Sequence, residues 1–398
     1  MKKKKILFVE QNQDGTIGGS YHSLYFLIGS VNRDKYEPIV MFYDKHELYD
    51  IFKKKCECHV YEKPLGKPPK HQKGVLKPLF IIINRVKNFT TTSIIPFIKF
   101  CVFIHKEKID LVHLNNTAHA GWEWLVASKI CGIKYLSHQR GAVKLNILSR
   151  LMANQFDKII CISEYIDKNL KANGVSKRNI VILNAIDIKE FKNKLVKTGK
   201  QIRKEFDIGV DNNLIGMVGN FQEWKGQLTV INAVNILKDQ YHGIKCLLIG
   251  GVSDKYKKDK KYFEKVKSKI LELGLKENII ITGYRPDVPD LMHAFDLIIH
   301  SSIQPEPFGR VIIEGMCLEK AVIATDIGGA KEIIENGISG ILIPPNRPDI
   351  LKNKIEYLLK NKEIRKALGK NGFKKVTEKF SIEAFSININ KCYKEVIG

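Results

Sequence analysis

Two glutamates eight positions apart, Glu306 and Glu314, lie in Gln304-Pro-Glu-Pro-Phe-Gly-Arg-Val-Ile-Ile-Glu-Gly-Met316, directly after an apolar run at 297–301. That run reads as a buried strand, and in an open parallel sheet ligands bind beyond the carboxyl ends of the strands. Glu306 falls in the loop that follows. Phe308 and Gly309 open the next helix, and their N–H groups, with those of Arg310 and Val311, can face an anion favoured by the helix dipole. Glu314 lies about a turn inside the helix, where its carboxylate can accept hydrogen bonds from a diol such as a ribose. Glu306, nearer the mouth, can do the same for a second polyol. Two spaced glutamates could equally be an acidic first turn and a solvent-facing side chain; the Pro-Glu-Pro-Phe-Gly setting after an apolar strand favours a site.

A second group follows the first apolar run. Gly18-Gly19-Ser20 stands between a strand at 5–10 and a helix at 21–31. Glycines in such a turn let the backbone approach a phosphate or sugar closely. The pattern is not G-x-G-x-x-G, and no acidic residue after the second strand is placed for a ribose, so dinucleotide binding is poorly supported. The eight cysteines fit a reducing compartment. Cys56 and Cys58 form an isolated C-x-C, which is poor metal spacing, and no His/Cys cluster has ligand spacing. No metal is expected.

The elements that must position these residues come in two series. In the first half, strands at 5–10, 36–43, 110–114, 134–138, 158–162 and 181–183 alternate with helices, Ser163 capping one that runs to 173. In the second, strands fall at 214–218, 245–250, 278–282, 297–301, 321–325 and 341–343, followed by helices at 348–361, 363–379 and 382–396. Short apolar strands alternating with helices predict parallel sheets covered on both faces. The fold class is α/β: two Rossmann-like domains, 1–190 and 191–375, facing an interdomain cleft, with a C-terminal helix in 376–398 returning toward the first.

Several segments together resemble the retaining glycosyltransferases of the GT-B fold, glycosyltransferase family 4 (glycosyl transferases group 1). They are the 304–316 segment, Val218-Gly-Asn-Phe-Gln-Glu-Trp-Lys-Gly226, Ala324-Thr-Asp-Ile-Gly-Gly-Ala-Lys-Glu332, Gly340-Ile-Leu-Ile-Pro-Pro345, Cys161-Ile-Ser-Glu164 and Asn184-Ala-Ile-Asp187. The likeness covers 158–346 and is looser before it. It implies sugar transfer from a nucleotide donor, UDP- or GDP-linked, with retention at the anomeric carbon and no metal or other cofactor. Glu314 would bind the ribose, Glu306 the transferred sugar and Lys225 the diphosphate. Gly18, Gly19, Asn220, Pro307, Phe308, Gly309, Arg310 and Val311 would complete the donor site. The family usually has Arg where this chain has Asn220; Arg310 or Arg285 could supply the missing charge. His138, ending a strand, matches a family His that touches the transferred sugar. His113, Asn115 and Arg140 would line the acceptor site, Asn115 standing where the family often has a second His. His138, Glu306 and Lys225 are the expected catalytic residues.

Composition narrows the partners. The 398 residues are 44% hydrophobic and 27% charged, which excludes a disordered, collagen-like or coiled-coil chain. No apolar run is long enough for a spanning helix, and the first strand is too short for a signal peptide; the cytosol is the default location. Net charge is +24, and residues 1–200 hold 35 Lys/Arg against 17 Asp/Glu. No basic patch is interleaved with aromatics as in a nucleic-acid module. Lys53, Lys54, Lys55, Lys67, Lys70, Lys73, Lys77, Arg85 and Lys87 instead cluster beside an apolar run at 94–104. That suits peripheral attachment to an anionic membrane surface and a saccharide or lipid-linked saccharide acceptor at its inner face, in cell-surface polysaccharide assembly. A solvated lysine face reflecting codon bias is the plain alternative. A nucleotide-sugar epimerase of the same fold and a non-enzymatic polyanion-binding protein remain open as other readings.

Overall fold

The computed structural model describes residues 2–12, 19–62, 83–84, 86–241, 243–253 and 255–398. The chain divides into two compact units, residues 1–183 with 385–398, and residues 184–384. The sequence reading drew its boundaries at 190 and 375.

The first unit is built on a seven-stranded parallel sheet in the order β3-β2-β1-β4-β5-β6-β7. Its strands are β1 (Lys4–Glu10), β2 (Tyr36–Phe42), β3 (Glu57–Val60), β4 (Leu111–Leu114), β5 (Lys134–Gln139), β6 (Lys158–Cys161) and β7 (Asn179–Val181). The central strands are apolar runs buried on both faces, as a helix-covered parallel sheet requires. The edge strand β3 escaped the sequence reading because Glu-Cys-His-Val is only half buried and carries no apolar run. The apolar run at 94–104 lies in a helix: a π-type turn, Thr90–Ile94, leads into the helix Ile95–Glu107. Pro96, which has no N–H for the i→i−4 ladder, stands just after that turn. The final helix, Ile382–Ile397, buries Phe385, Ile389, Cys392 and Tyr393. Asn390 fastens it to the end of the helix Gly19–Gly29, donating to the Ser30 carbonyl and accepting from the Asn32 N–H at 2.8 Å each.

The second unit holds a six-stranded parallel sheet in the order β10-β9-β8-β11-β12-β13. The strands are β8 (Leu214–Val218), β9 (Lys245–Ile249), β10 (Ile279–Gly283), β11 (Leu297–His300), β12 (Ala321–Thr325) and β13 (Ile341–Ile343). Ile215, Met217, Leu248, Ile299 and Ile323 pack on one side against Val230, Val234, Val266, Leu351 and Ile355 from the covering helices. Strand order reverses between β1 and β4 in one sheet and between β8 and β11 in the other. Those reversals are where a crevice opens at the carboxyl ends of the strands.

Candidate functional site

In the second unit, two clasps set the loops at the β8/β11 reversal. The turn Glu223–Lys225 follows β8 and ends at Gly226. Gly226 has φ +79°, and a Cβ there would lie 2.1 Å from the Ser301 carbonyl oxygen, so only glycine allows this approach. The Ser301 hydroxyl donates to the Gly226 carbonyl at 3.0 Å and the Ile303 N–H to the Trp224 carbonyl at 2.7 Å. Beyond β12, Gly328-Gly329 presses on the loop that carries Glu306. A Cβ at Gly328 would stand 2.4 Å from the Glu306 carbonyl oxygen and one at Gly329 2.4 Å from that of Phe308. The Gly329 N–H donates to the Glu306 carbonyl at 2.9 Å. Phe308 is buried, its ring 5.9 Å from Phe380. These contacts hold the loop rigid as it enters the helix Arg310–Cys317.

The result is a carboxylate held from three sides. Glu306 Oε1 accepts from Lys225 Nζ at 2.7 Å, lies 2.9 Å from His300 Nε2, and takes the Ser302 hydroxyl. Among the described residues Oε2 has no such partner. Burial pushes the Glu306 carboxyl up, but His300 and then Lys225 outweigh it and hold the group well below the usual carboxylate range. Lys225 Nζ also stands 4.3 Å from the centre of the Trp224 ring, a cation–π contact. Glu314, inside the helix, pairs with Arg310 at 3.2 Å.

The remaining expected donor residues fall around this centre. Asn220 is exposed; its Oδ1 accepts from the Gly251 N–H at 3.3 Å. Arg285 belongs elsewhere: its guanidinium makes two 2.7 Å bonds to Asp287 and lies 2.6 Å from Glu205. Two carboxylates flank it there. Arg310 stands half-buried at the helix start.

The first unit gathers a second polar group at its β1/β4 reversal. Asn115 follows β4, its N–H bonded to Val9 O at 3.0 Å, which sets it beside Glu10 at the end of β1. Arg140, following β5, donates through Nε to the Asn115 carbonyl at 2.7 Å and through Nη2 to its Oδ1 at 2.7 Å. Gln139 Oε1 accepts from the Ala118 N–H at 2.8 Å and ties the 117–119 loop to β5. His138 and His113 lie elsewhere, wholly buried beneath the helix Ile382–Ile397. Their rings stack at 5.4 Å, and His113 Nδ1 is 2.8 Å from the Tyr393 hydroxyl. Among the described residues neither ring nitrogen of His138 has a hydrogen-bond partner. Burial lowers both imidazoles well below the ordinary histidine range, with Arg140 adding to the effect. In this conformation neither ring meets solvent. Gly19 opens the helix Gly19–Gly29, and Gly18 lies outside the described residues.

Comparison with known proteins places this geometry. Residues 199–375 match the model of the glycosyl transferases group 1, and residues 52–190 that of glycosyltransferase family 4. An uncharacterised glycosyltransferase of Methanocaldococcus jannaschii is 31% identical over 303 residues, covering 74% of this chain and 77% of that protein. The chain belongs to the glycosyl transferases group 1 family. Also similar to this glycosyltransferase is the capsular polysaccharide biosynthesis glycosyltransferase CapM of Staphylococcus aureus, 27% identical over 320 residues, 74% of this chain and 79% of that one. Among solved structures, HepE of Anabaena in complex with UDP aligns with TM-score 0.79 at 24% identity, over 98% of this chain and 100% of that one. A glycosyltransferase of Rickettsia africae aligns with TM-score 0.80 at 23% identity, over 100% and 99%. The fold is therefore the two-domain, Rossmann-like GT-B fold.

Three polar residues of this glycosyltransferase escaped the sequence reading of its sites: His300, Glu10 and Asn116. His300 ends β11, and a polar residue closing an apolar strand beside a loop glutamate was the available signal. Glu10 and Asn116 carry no motif; only strand order brings them together.

Proposed function

We propose that the chain is a retaining, metal-independent transferase that moves a sugar from a nucleotide donor to a saccharide or lipid-linked saccharide. The observation that carries this is the Lys225–Glu306–His300 cluster beside the start of the helix Arg310–Cys317, at the strand-order reversal. A donor diphosphate would take up the charge of Lys225 and the N–H groups of the helix start, with Arg310 alongside. These groups stabilise the negative charge that develops as the glycosidic bond breaks. Glu306 Oε2, free while Oε1 is held, would accept from a hydroxyl of the transferred sugar. Glu314 would accept from the ribose. A UDP-linked donor is favoured, since the similarly folded HepE is solved with UDP and with UDP-glucose. The capsule role of CapM favours cell-surface polysaccharide as the pathway.

The acceptor side and the membrane belong to the same reading. Arg140, held by the buried Asn115, would meet the acceptor, and the first unit would rest on an anionic cytoplasmic leaflet. Lys53, Lys54, Lys55 and Lys87 are exposed, as are Val86, Phe89, Ile98 and Val102. Lys67, Lys70, Lys73, Lys77 and Arg85 lie outside the described residues. Each basic residue near an anionic surface adds about 1 kcal/mol. No helix among the described residues is long and apolar enough to cross a membrane. Transfer from a panel of UDP- and GDP-sugars, with and without EDTA, tests the enzymatic reading. Equal co-sedimentation with neutral and anionic vesicles would remove the membrane part alone.

A further inference from the structure

The first unit contains a carboxylate that no part of the proposed reaction yet uses. Glu10 ends β1 at the β1/β4 reversal and is fully buried. A buried carboxylate persists only when its lone pairs are answered by donors. Here three asparagines answer them. Asn115 Nδ2 donates to Oε2 at 2.5 Å, Asn116 Nδ2 donates to Oε1, and the Asn12 N–H reaches Oε1 at 3.3 Å. The network continues outward. Asn12 Nδ2 donates to Ser20 Oγ at 3.0 Å, and Arg140 grips Asn115 Oδ1 from the other side at 2.7 Å. Glu10 and Asn115 are buried, while Asn12, Ser20, Asn116 and Arg140 are only partly so. A charged floor thus fixes the rotamers of a rim made of amides, a hydroxyl and a guanidinium.

We propose that Glu10 is a positioning residue for saccharide recognition: it locks Asn12, Asn115 and Asn116 so that the rim hydrogen-bonds the hydroxyl groups of a neutral acceptor sugar. This rests on the transferase reading and adds the acceptor's chemical class. The charge balance decides that class. Burial raises the Glu10 carboxyl above its ordinary range, while the Asn115 and Asn116 amides and Arg140 favour its ionised form. Ionised, Glu10 cancels Arg140, and the other members are neutral, so the group then has no net positive charge with which to hold a phosphate. Amides fixed in orientation supply both a donor and an acceptor, which is what a sugar hydroxyl requires. Carboxylate acceptors also make the stronger hydrogen bonds to the amides they orient. Both Glu10 oxygens accept, so the carboxyl turns the amino edges of Asn115 and Asn116 inward, while Asn12 is held through its backbone N–H.

The test uses the full chain and two kinds of probe: neutral methyl glycosides of glucose, galactose and N-acetylglucosamine, and the matching sugar 1-phosphates. Saturation-transfer NMR reads glycoside binding, and calorimetry with UDP reads the donor side. Wild type should bind at least one methyl glycoside in preference to its sugar phosphate. Glu10→Gln places an amide donor against donor amides and should weaken that binding at least tenfold with UDP affinity unchanged. Glu10→Asp, which restores an acceptor, should recover part of it. Asn116→Ala, at the rim, should reproduce the loss without removing the buried charge, and decides the matter if Glu10→Gln does not fold. Once an acceptor is in hand, these variants should raise its KM more than they lower kcat. Wild-type glycoside binding in Glu10→Gln or Asn116→Ala, or preference for the phosphates, overturns the proposal. Absence of UDP binding in wild type would instead overturn the transferase reading.

Discussion

Lys225 Nζ and Glu306 Oε1 are 2.7 Å apart although 81 residues separate them in sequence. The turn bearing the lysine is fastened to the end of β11 through Gly226 and Ser301, and the loop bearing the glutamate is pressed into place by Gly328-Gly329. The ion pair links the two loops at the reversal of strand order, and an incoming diphosphate would meet a cation already aimed.

Lys225→Met should lower kcat about 10²–10³-fold, the cost of removing one preorganised charge donor from a developing anion. Steady-state kinetics with the active donor checks this. Thermal stability at neutral pH should fall only modestly, because His300 and Ser302 still hold Glu306. A variant with unchanged kcat would show that the lysine does not meet the leaving group.

The two glutamates should separate in kinetics. Glu314→Ala is expected to weaken UDP binding by roughly 1–3 kcal/mol, the range for a lost hydrogen bond to a sugar hydroxyl. Glu306→Ala should chiefly reduce turnover. Calorimetry with UDP beside steady-state rates distinguishes the two roles.

The depressed pKa of Glu306 gives a pH-dependent stability. Folded, the group stays ionised well below its unfolded value of about 4.3. Its contribution is complete above that unfolded value and is lost as pH falls toward the folded one. Glu306→Gln should therefore be less stable than wild type at pH 7, with the gap in Tm narrowing below about pH 4. A gap constant from pH 7 to pH 3 would contradict the assignment.

Much of this fold is legible in the sequence. The central strands announce themselves because burial on both faces demands apolar runs, as in 297–301 and 321–325. Glu306, Glu314 and Lys225 stood out because glycines and prolines flank them in fixed order. The half-buried edge strand β3 was silent, as were the short helices Ile147–Ala153 and Val288–Ala294, whose turns are too few to show a period. Glu10 was silent for a different reason. Its amide partners Asn115 and Asn116 follow a strand a hundred residues away, and no local pattern encodes that meeting.

His138 is an expected site residue in apolar surroundings. Its strand-end position fits a sugar contact, and the ring is buried against His113 and Phe385 with no hydrogen-bond partner among the described residues. His138→Leu should preserve UDP affinity and leave Tm unchanged or higher, since replacing an unpartnered buried polar ring by an apolar group costs little. A hundredfold loss of transfer at unchanged UDP affinity would mean that the ring reaches the substrate during turnover.

The central claim is retaining transfer from a nucleotide sugar. Proton NMR of the first product formed from an α-linked UDP-sugar, in EDTA, addresses it directly. Retaining, metal-independent transfer gives an α-configured product at a rate that chelation does not change. A β-configured first product, or an absolute requirement for Mg²⁺ or Mn²⁺ in the chemical step, would contradict it.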